Sequence, residues 1–178
     1  LCKNGYSVNA TIPGGKTPIF VAKDISFTHS VRIYIPKDIQ ENYILNHPPI
    51  IKSSYEHLID TLLANDANIN SSDENGVNAL YHVLPDIDSI IEERQFSSEG
   101  EERIYLDTQL KYVNVLMDKG ACPLMESIEE ARTPLIVLED LHNHIIENNN
   151  EYEFSSTSID RLQDTITRMQ GKMTYMTP

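Results

Sequence analysis

Three segments of this 178-residue chain share one frame of glycine, proline and apolar residues, and this repetition limits the possible folds more than any other feature. The segments begin at Leu1, Leu62 and Leu116. They read LCKNGYSVNATIPGGKTPIFVAKDI, LLANDANINSSDENGVNALYHVL and LMDKGACPLMESIEEARTPLIVLEDL. Self-similarity of this kind predicts a repeat architecture.

Each segment contains residues that can end a helix and turn the chain. Gly5 and Gly120 stand where a helix ends and the backbone needs a left-handed residue, and Asp66 takes this place in the second segment. Gly15 and Gly76 follow ten positions after Gly5 and Asp66, at turn positions where a positive φ costs little.

The next helix starts in the same frame. Thr17 and Thr133 can cap it, and a proline follows each of them at the first helical position. Leu80 and Leu135 then begin its buried stripe. The frame therefore predicts one helix end, one turn and one helix start in each segment.

This frame resembles the ankyrin repeat, in which Leu-Leu-x-x-Gly-Ala ends a helix, Val-Asn-x-x-Asp follows, and Gly-x-Thr-Pro-Leu-x-x-Ala opens the next helix. The resemblance implies an all-α fold, an ankyrin-like helical repeat stack with inserted helices or loops. It places repeat cores near residues 1–25, 54–84 and 101–147 of a single domain.

Two insertions depart from the ankyrin pattern. The frame position of Thr17 recurs after 61 residues and again after 55, whereas an ordinary repeat has about 33 residues. The insertions fall near residues 26–53 and 85–100, between the two helices of a repeat. The first contains Val31-Arg32-Ile33-Tyr34-Ile35, whose alternation is typical of a short strand or extended segment.

Apolar residues spaced by three and four predict the remaining helices. One follows the capping box Ser53-Ser54-Tyr55-Glu56, another runs from about Glu101 to Lys119, and another from Pro134 to about Glu147. Their inward faces are, in order, Leu58, Ile59, Leu62 and Leu63; Leu106, Leu110, Val113 and Met117; and Leu135, Leu138, Leu141 and Ile145. In the second insertion Ile87, Ile90 and Ile91 share a helical face.

A last helix is predicted near residues 157–173, capped by Thr157 and Asp160. Its apolar positions form a short heptad seam: Ile159, Leu162, Ile166, Met169 and Met173. The seam permits two interpretations, a helix that caps the repeat stack or a coiled-coil contact between two copies. We favour the cap because the seam spans barely two heptads.

The charge of the chain limits its partners. The formal net charge is −13, and no Lys or Arg lies between Lys52 and Arg94. A nucleic-acid binder needs the opposite balance, so no direct contact with nucleic acid is expected. An acidic surface attracts basic peptides or proteins, although the same charge can serve solubility alone. No apolar run approaches the roughly 18 residues of a membrane span, so no membrane contact is expected.

No catalytic constellation stands out, and we expect a protein that is not an enzyme and needs no cofactor or metal. Gly14-Gly15-Lys16-Thr17 lacks the upstream glycine of a phosphate-binding loop, since residue 10 is alanine. His142 and His144 each have a glutamate three positions away, but the two pairs point about 200° apart on a helix. A solvated helix face explains them better than a metal site.

The cysteines and the first residues indicate a compartment. Cys2 and Cys122 are isolated thiols, which predicts a reducing environment and a cytoplasmic or nuclear location. The sequence from Leu1 onward has no signal-peptide pattern, and we expect the chain to be a fragment of a longer protein.

The ankyrin resemblance implies two binding surfaces, a row of turn tips and a groove lined by the first helix of each repeat. The tips correspond to Thr11–Gly14, Ser72–Asn75 and Glu126–Glu130. The candidate partner-binding residues are Ile12, Pro13, Asp73, Glu74, Asn75, Glu126, Glu129 and Glu130 at the tips, and Phe20, Lys23, Tyr81 and His82 in the groove. Phe20 and Tyr81 are candidate aromatic anchors.

These observations predict a protein–protein interaction module that binds a basic peptide or protein surface, with a histone tail as one ligand class by analogy. One alternative is a target-selecting adaptor or a host-directed effector domain. Another is self-association through the last helix; otherwise a monomer is expected.

Overall fold

A computed structural model describes residues 7–23, 54–90, 101–128, 131–148 and 154–173. In these ranges the regular structure is helical, and the single β-type contact is an isolated antiparallel bridge between Ser72 and Asn78. The all-α class predicted from the sequence is therefore confirmed for this part of the chain.

The described helices follow one another from α1 to α7. They are α1 (residues 18–23), α2 (Ser54–Leu63), α3 (Ala79–His82), α4 (residues 87–90), α5 (Glu101–Asp118), α6 (Pro134–Glu147) and α7 (Ser156–Met173). The predicted bounds of α5 and α6 agree with these to within one residue.

Some predicted features lie outside the described residues. They are Gly5, Cys2, the segment Val31–Ile35, Ile91, Glu129 and Glu130, and the side chain of Met173.

Helices α2 and α5 end in the same way. After α2, Asp66 has a φ of 66°, and after α5, Gly120 has a φ of 93°. In each case this residue donates its N–H to the carbonyl three positions earlier, at 3.0 Å after α2 and 3.1 Å after α5. The next residue donates its N–H to the carbonyl five positions before it, at 3.1 Å after α2 and 3.0 Å after α5. This pair of bonds is the Schellman ending, and it confirms the left-handed residues predicted at both positions.

Helices α3 and α6 begin in the same way. The side chain of Asn78 accepts a hydrogen bond from the N–H of Tyr81 at 3.1 Å, and Thr133 accepts one from the N–H of Ile136 at 3.3 Å. The predicted cap at Thr133 is confirmed, with Pro134 at the first helical position.

The predicted cap of the last helix was wrong. Helix α7 begins at Ser156, so Thr157 and Asp160 both lie within it. The Ser155 hydroxyl instead accepts the N–H of Ser158 at 3.2 Å, which places the cap two residues before Thr157.

Three short turns lie side by side and are joined through their backbones. Turn 1 (residues 12–16) and turn 2 (residues 73–77) are each closed by an N–H to carbonyl bond, at 3.0 and 2.9 Å. Turn 3 (residues 127, 128, 131 and 132) is closed at 3.1 Å. The N–H of Glu74 donates to the Gly14 carbonyl at 3.3 Å, and the N–H of Ile128 donates to the Asn75 carbonyl at 2.9 Å. The turns therefore form one continuous edge.

Two glycines allow this close approach. Gly15 has a φ of +73°, and a Cβ atom there would lie 2.7 Å from the backbone nitrogen of Glu74. Gly76 has a φ of +76°, and a Cβ atom there would lie 2.7 Å from Cγ1 of Ile128. Gly15 is thus favoured by its conformation and by the backbone of the neighbouring turn, and Gly76 is favoured by its conformation and by the close side chain of Ile128.

Two asparagines connect successive segments. The Asn9 side chain donates a hydrogen bond to the Asp66 carbonyl at 2.8 Å and accepts one from the N–H of Asn68 at 2.9 Å. Sixty-one positions after Asn9, Asn70 donates a hydrogen bond to the Gly120 carbonyl at 3.2 Å and accepts one from the N–H of Cys122 at 2.7 Å. One hydrogen-bonding arrangement therefore occurs twice, at the spacing of the sequence frame.

The core is centred on α5, which packs against α2, α3 and α7. The predicted inward faces of α5 and α6 are buried in full, whereas Leu58 and Leu63 of α2 are only partly buried. The buried members of the predicted faces are Ile59 and Leu62; Leu106, Leu110, Val113 and Met117; and Leu135, Leu138, Leu141 and Ile145.

The apolar stripe of α7 is buried within the chain. Leu162, Ile166 and Met169 are buried where α7 packs against α5 and α6. Ion pairs between Arg161 and Asp107 and between Arg168 and Asp118 flank this contact with α5. The predicted seam is therefore occupied by helices of the same chain.

Candidate functional site

The joined edge of the three turns presents polar and apolar side chains together. Ile12 and Ile128 are 53% and 76% exposed, although large aliphatic side chains are usually buried. Between them lie the exposed side chains of Glu74 and Asn75. The edge therefore presents one isoleucine on each side of the Glu74 carboxylate, and the backbone hydrogen bonds between the turns fix their positions.

Most of the predicted tip residues that fall in the described ranges are exposed. These are Ile12, Pro13, Glu74, Asn75 and Glu126. Sequence reasoning did not single out Ile128, because an isoleucine in a stretch of glutamates carries no signal of its own.

Asp73 is a correction to the predicted tip. Its side chain is 1% exposed, although the sequence predicted an exposed turn residue. One carboxylate oxygen accepts the N–H groups of Asn75 at 2.9 Å and Val77 at 3.2 Å, and the other lies 3.0 Å from Nε2 of His82. Asp73 thus holds turn 2 together and ties it to α3, so it is not available to a partner.

Phe20 is a second correction. The sequence predicted an aromatic anchor facing the groove, but Phe20 is 5% exposed and its ring meets that of His82 at 5.0 Å, edge to face. Beside it, Lys23 donates to the His82 carbonyl at 3.4 Å. A small hollow of about 170 Å³ here is bordered by Lys16 and Lys23, so the surface beside Phe20 is basic.

A larger cleft lies between the α3–α4 segment and α6, and we call it the α3–α6 cleft. Its volume is about 490 Å³. Its apolar lining includes Leu84, Pro85, Val137 and Leu141, and its titratable lining is Asp86, Asp88, Asp140, Arg132 and His144. Tyr81, half-buried, is the predicted groove residue that borders it.

The carboxylates of the α3–α6 cleft are positioned by local hydrogen bonds. One oxygen of Asp86 accepts the N–H of Ser89 at 2.7 Å and so caps α4, and the other accepts the Tyr105 hydroxyl at 3.4 Å. Burial, and then the charge of Asp86, raise the pKa of Tyr105. Asp140 pairs with Arg132.

The sequence did not identify this cleft. Asp86 and Asp88 belong to the interval without Lys or Arg, so their charge was visible. Asp140 and Arg132 lie about 50 positions further along, and only the packing of α6 beside α3 brings the two groups together.

The described ranges lack two other kinds of feature, a metal site and a membrane-spanning helix. No group of three or more His, Cys, Asp or Glu side chains there is arranged to hold a metal ion. No helix there is both long enough and apolar enough to cross a bilayer. No known protein-family model matches the sequence, and no curated protein is significantly similar to it.

Proposed function

We propose that this chain is a protein–protein interaction module of diverged ankyrin-like repeats that binds a basic peptide or protein surface. The observation that carries the proposal is the continuous edge of turns 1, 2 and 3. Its exposed side chains include two isoleucines and the carboxylate of Glu74, a mixed apolar and polar surface that a protein partner can contact.

Repeated local geometry supports the ankyrin-like part of the proposal. The Schellman ending occurs after α2 and after α5, and the asparagine bridge occurs at Asn9 and at Asn70. Residues of positive φ stand at Gly15, Gly76 and Ala131, which occupy one position of the sequence frame. Equivalent bonds at equivalent positions are expected of repeated units.

Charge supports a basic partner. Glu74 is exposed on the joined edge, Glu126 is exposed directly before turn 3, and Asp86, Asp88 and Asp140 border the α3–α6 cleft. With a formal net charge of −13, the molecule attracts cationic surfaces at low ionic strength. A histone tail is one candidate ligand of this charge, and a cytoplasmic or nuclear location goes with the proposal.

A pull-down with the 178-residue chain, followed by mass spectrometry, would supply a partner. Glu74→Lys combined with Glu126→Lys is then expected to weaken its affinity about tenfold at low salt. The matched control is Asp160→Lys combined with Asp164→Lys, which changes the charge equally on α7. Equal losses in the two double variants would mean that net charge alone drives binding, and no loss in either would contradict a contact through the turn edge.

Two alternatives remain. A target-selecting adaptor or effector domain would use the same surfaces, and neighbouring domains in a longer protein would distinguish it. Self-association through α7 has less support, because Leu162, Ile166 and Met169 are buried against helices of the same chain. Light scattering of the purified chain tests it, and we expect a monomer.

A further inference from the structure

We propose that the α3–α6 cleft receives the side chain of one lysine or arginine of the partner. This inference rests on the proposed function and makes it more specific, because it assigns the basic residue to a cleft that adjoins the turn edge at Arg132 of turn 3. The cleft joins an apolar floor to an acidic border, and a long cationic side chain needs both.

The floor suits an aliphatic stem. Leu84 and Leu141 are buried beneath the cleft, Pro85 is buried beside them, and Val137 is half-buried. Lysine and arginine cover apolar surface with their methylene groups and keep the charged head at the water boundary. The cleft volume of about 490 Å³ falls within the range of roughly 300–1,000 Å³ found for small-ligand pockets.

The border suits a cationic head. Asp86, Asp88 and Asp140 are exposed at the cleft, which is also lined by the guanidinium of Arg132 and the imidazole of His144. Arg132 pairs with Asp140, so the chain already places one of its own cations at this border. An incoming anion would meet a net negative border, whereas an incoming cation would find carboxylates in excess.

Arg132 gives the proposal a distinctive consequence. Its guanidinium both occupies Asp140 and repels another cation in the cleft. Arg132→Gln should therefore tighten binding of a cationic side chain, whereas removing carboxylates should weaken it. Loss of general stability would shift both kinds of variant in the same direction, so opposite signs exclude it. A change in net charge alone would also give opposite signs, so the cleft is identified only by effects larger than those of the α7 control variants.

The probe is a fluorescein-labelled 12-residue peptide of alternating lysine and serine, with its affinity for the 178-residue chain measured by fluorescence anisotropy at low salt. Asp86→Asn combined with Asp88→Asn is expected to weaken binding about fivefold. Asparagine keeps the cap acceptor at position 86, so α4 is retained. The control, Asp160→Asn combined with Asp164→Asn, removes the same charge from α7 and is expected to change the affinity less than twofold. Arg132→Gln is expected to tighten binding about twofold to threefold.

Two altered peptides test the two halves of the cleft. Acetylated lysine keeps the stem without the charge, and diaminobutyrate keeps the charge on a stem shorter by two methylenes. Both are expected to bind more weakly than lysine. Diaminobutyrate binding as tightly as lysine would overturn the role of the floor, and acetylated lysine binding as tightly would overturn the role of the carboxylates.

The remaining outcomes separate this proposal from the one on which it rests. Lysine binding that is weakened by Glu74→Lys but unaffected by the aspartate and Arg132 variants overturns the cleft and leaves the turn edge as the binding surface. Absence of lysine-peptide binding to the unaltered chain overturns both. Equal weakening in the cleft and α7 double variants also overturns the cleft, because only net charge would then matter.

Discussion

Ala131 occupies the position in turn 3 that glycine occupies in turns 1 and 2. Its φ of 50° lies in the left-handed region, which costs a residue with a Cβ atom about 1–2 kcal/mol. Glycine avoids that cost but adds roughly 0.5–1 kcal/mol of unfolded-chain entropy. Ala131→Gly is therefore expected to raise the free energy of unfolding by about 0.5–1 kcal/mol, measured by urea denaturation.

The matched control is the reverse change in the neighbouring turn. Gly76→Ala introduces a Cβ atom at a φ of +76° and 2.7 Å from Cγ1 of Ile128, so it should lower stability. The assignment of one shared turn position to Ala131 and Gly76 fails if Ala131→Gly destabilises the chain or if Gly76→Ala is neutral.

Tyr55 carries a hydroxyl group that is buried without a hydrogen-bond partner among the described residues. The residue is 1% exposed, and its ring packs against that of Tyr112 at a centroid distance of 4.3 Å. Removing an unsatisfied buried group costs little, so Tyr55→Phe is expected to be neutral or stabilising at pH 7.

The same residue sets a dependence on pH. Burial raises the pKa of Tyr55 well above its usual value, with a smaller contribution from Tyr112. Because the pKa of Tyr55 is higher in the folded state, its contribution to the free energy of unfolding is constant below pH about 10. That contribution is lost at higher pH, because the tyrosine of the unfolded chain ionises first. Urea denaturation at pH 8 and at pH 11 should show a smaller loss of stability in Tyr55→Phe than in the parent chain. An equal loss in both would mean that the Tyr55 hydroxyl is solvated.

At the scale of elements, the asparagine bridges connect segments that are far apart in sequence. Asn70→Ala removes two hydrogen bonds and leaves the Gly120 carbonyl and the Cys122 N–H without them. We expect a loss of about 1–3 kcal/mol in the free energy of unfolding, measured by urea denaturation. The control is Asn65→Ala, whose exposed side chain bonds only within its own helix end, to the Thr61 carbonyl. A loss no larger than that of the control would show that the bridge does not stabilise the fold.

The helices were predictable where one local signal fixed each boundary. Helix α6 has a threonine cap, a proline and a regular apolar stripe, and its bounds agree with the prediction. The start of α7 was misplaced because the run Ser155-Ser156-Thr157-Ser158 offers several residues that can cap a helix. Sequence alone does not choose among neighbouring hydroxyls; the packing of the first turn does.

The burial of Asp73 shows what local sequence cannot supply. The run Ser72-Asp73-Glu74-Asn75-Gly76 has the composition of an exposed turn, which is why the prediction placed both acids outside. The turn folds back against α3, and His82 then covers the Asp73 carboxylate. The α3–α6 cleft was missed for a related reason, since its two sides are distant in sequence.

At the scale of the whole molecule, the buried side chains of the described ranges form one core. Helix α5 contacts α2 and α3 on the one hand and α7 on the other, so the segments share their central element. This arrangement predicts that damage in one segment spreads to the others. Residues in contact with a common element should unfold in one transition rather than segment by segment.

Leu80 gives the test of that cooperativity. It is fully buried in α3, which packs against α5, and Leu80→Asp would place a carboxylate in the core. A buried, unpaired charge is among the few single changes that cost more than about 4 kcal/mol, which is close to the total stability of many domains. We therefore expect Leu80→Asp to abolish the cooperative melt seen by circular dichroism and to expose α7 to proteolysis.

The matched control is Glu74→Asp in the adjoining turn, an exposed site where stability should be retained. A Leu80→Asp melting midpoint within a degree or two of the parent would refute the alignment of the second segment. Loss of α3 with α7 still protected would instead show that the segments unfold independently.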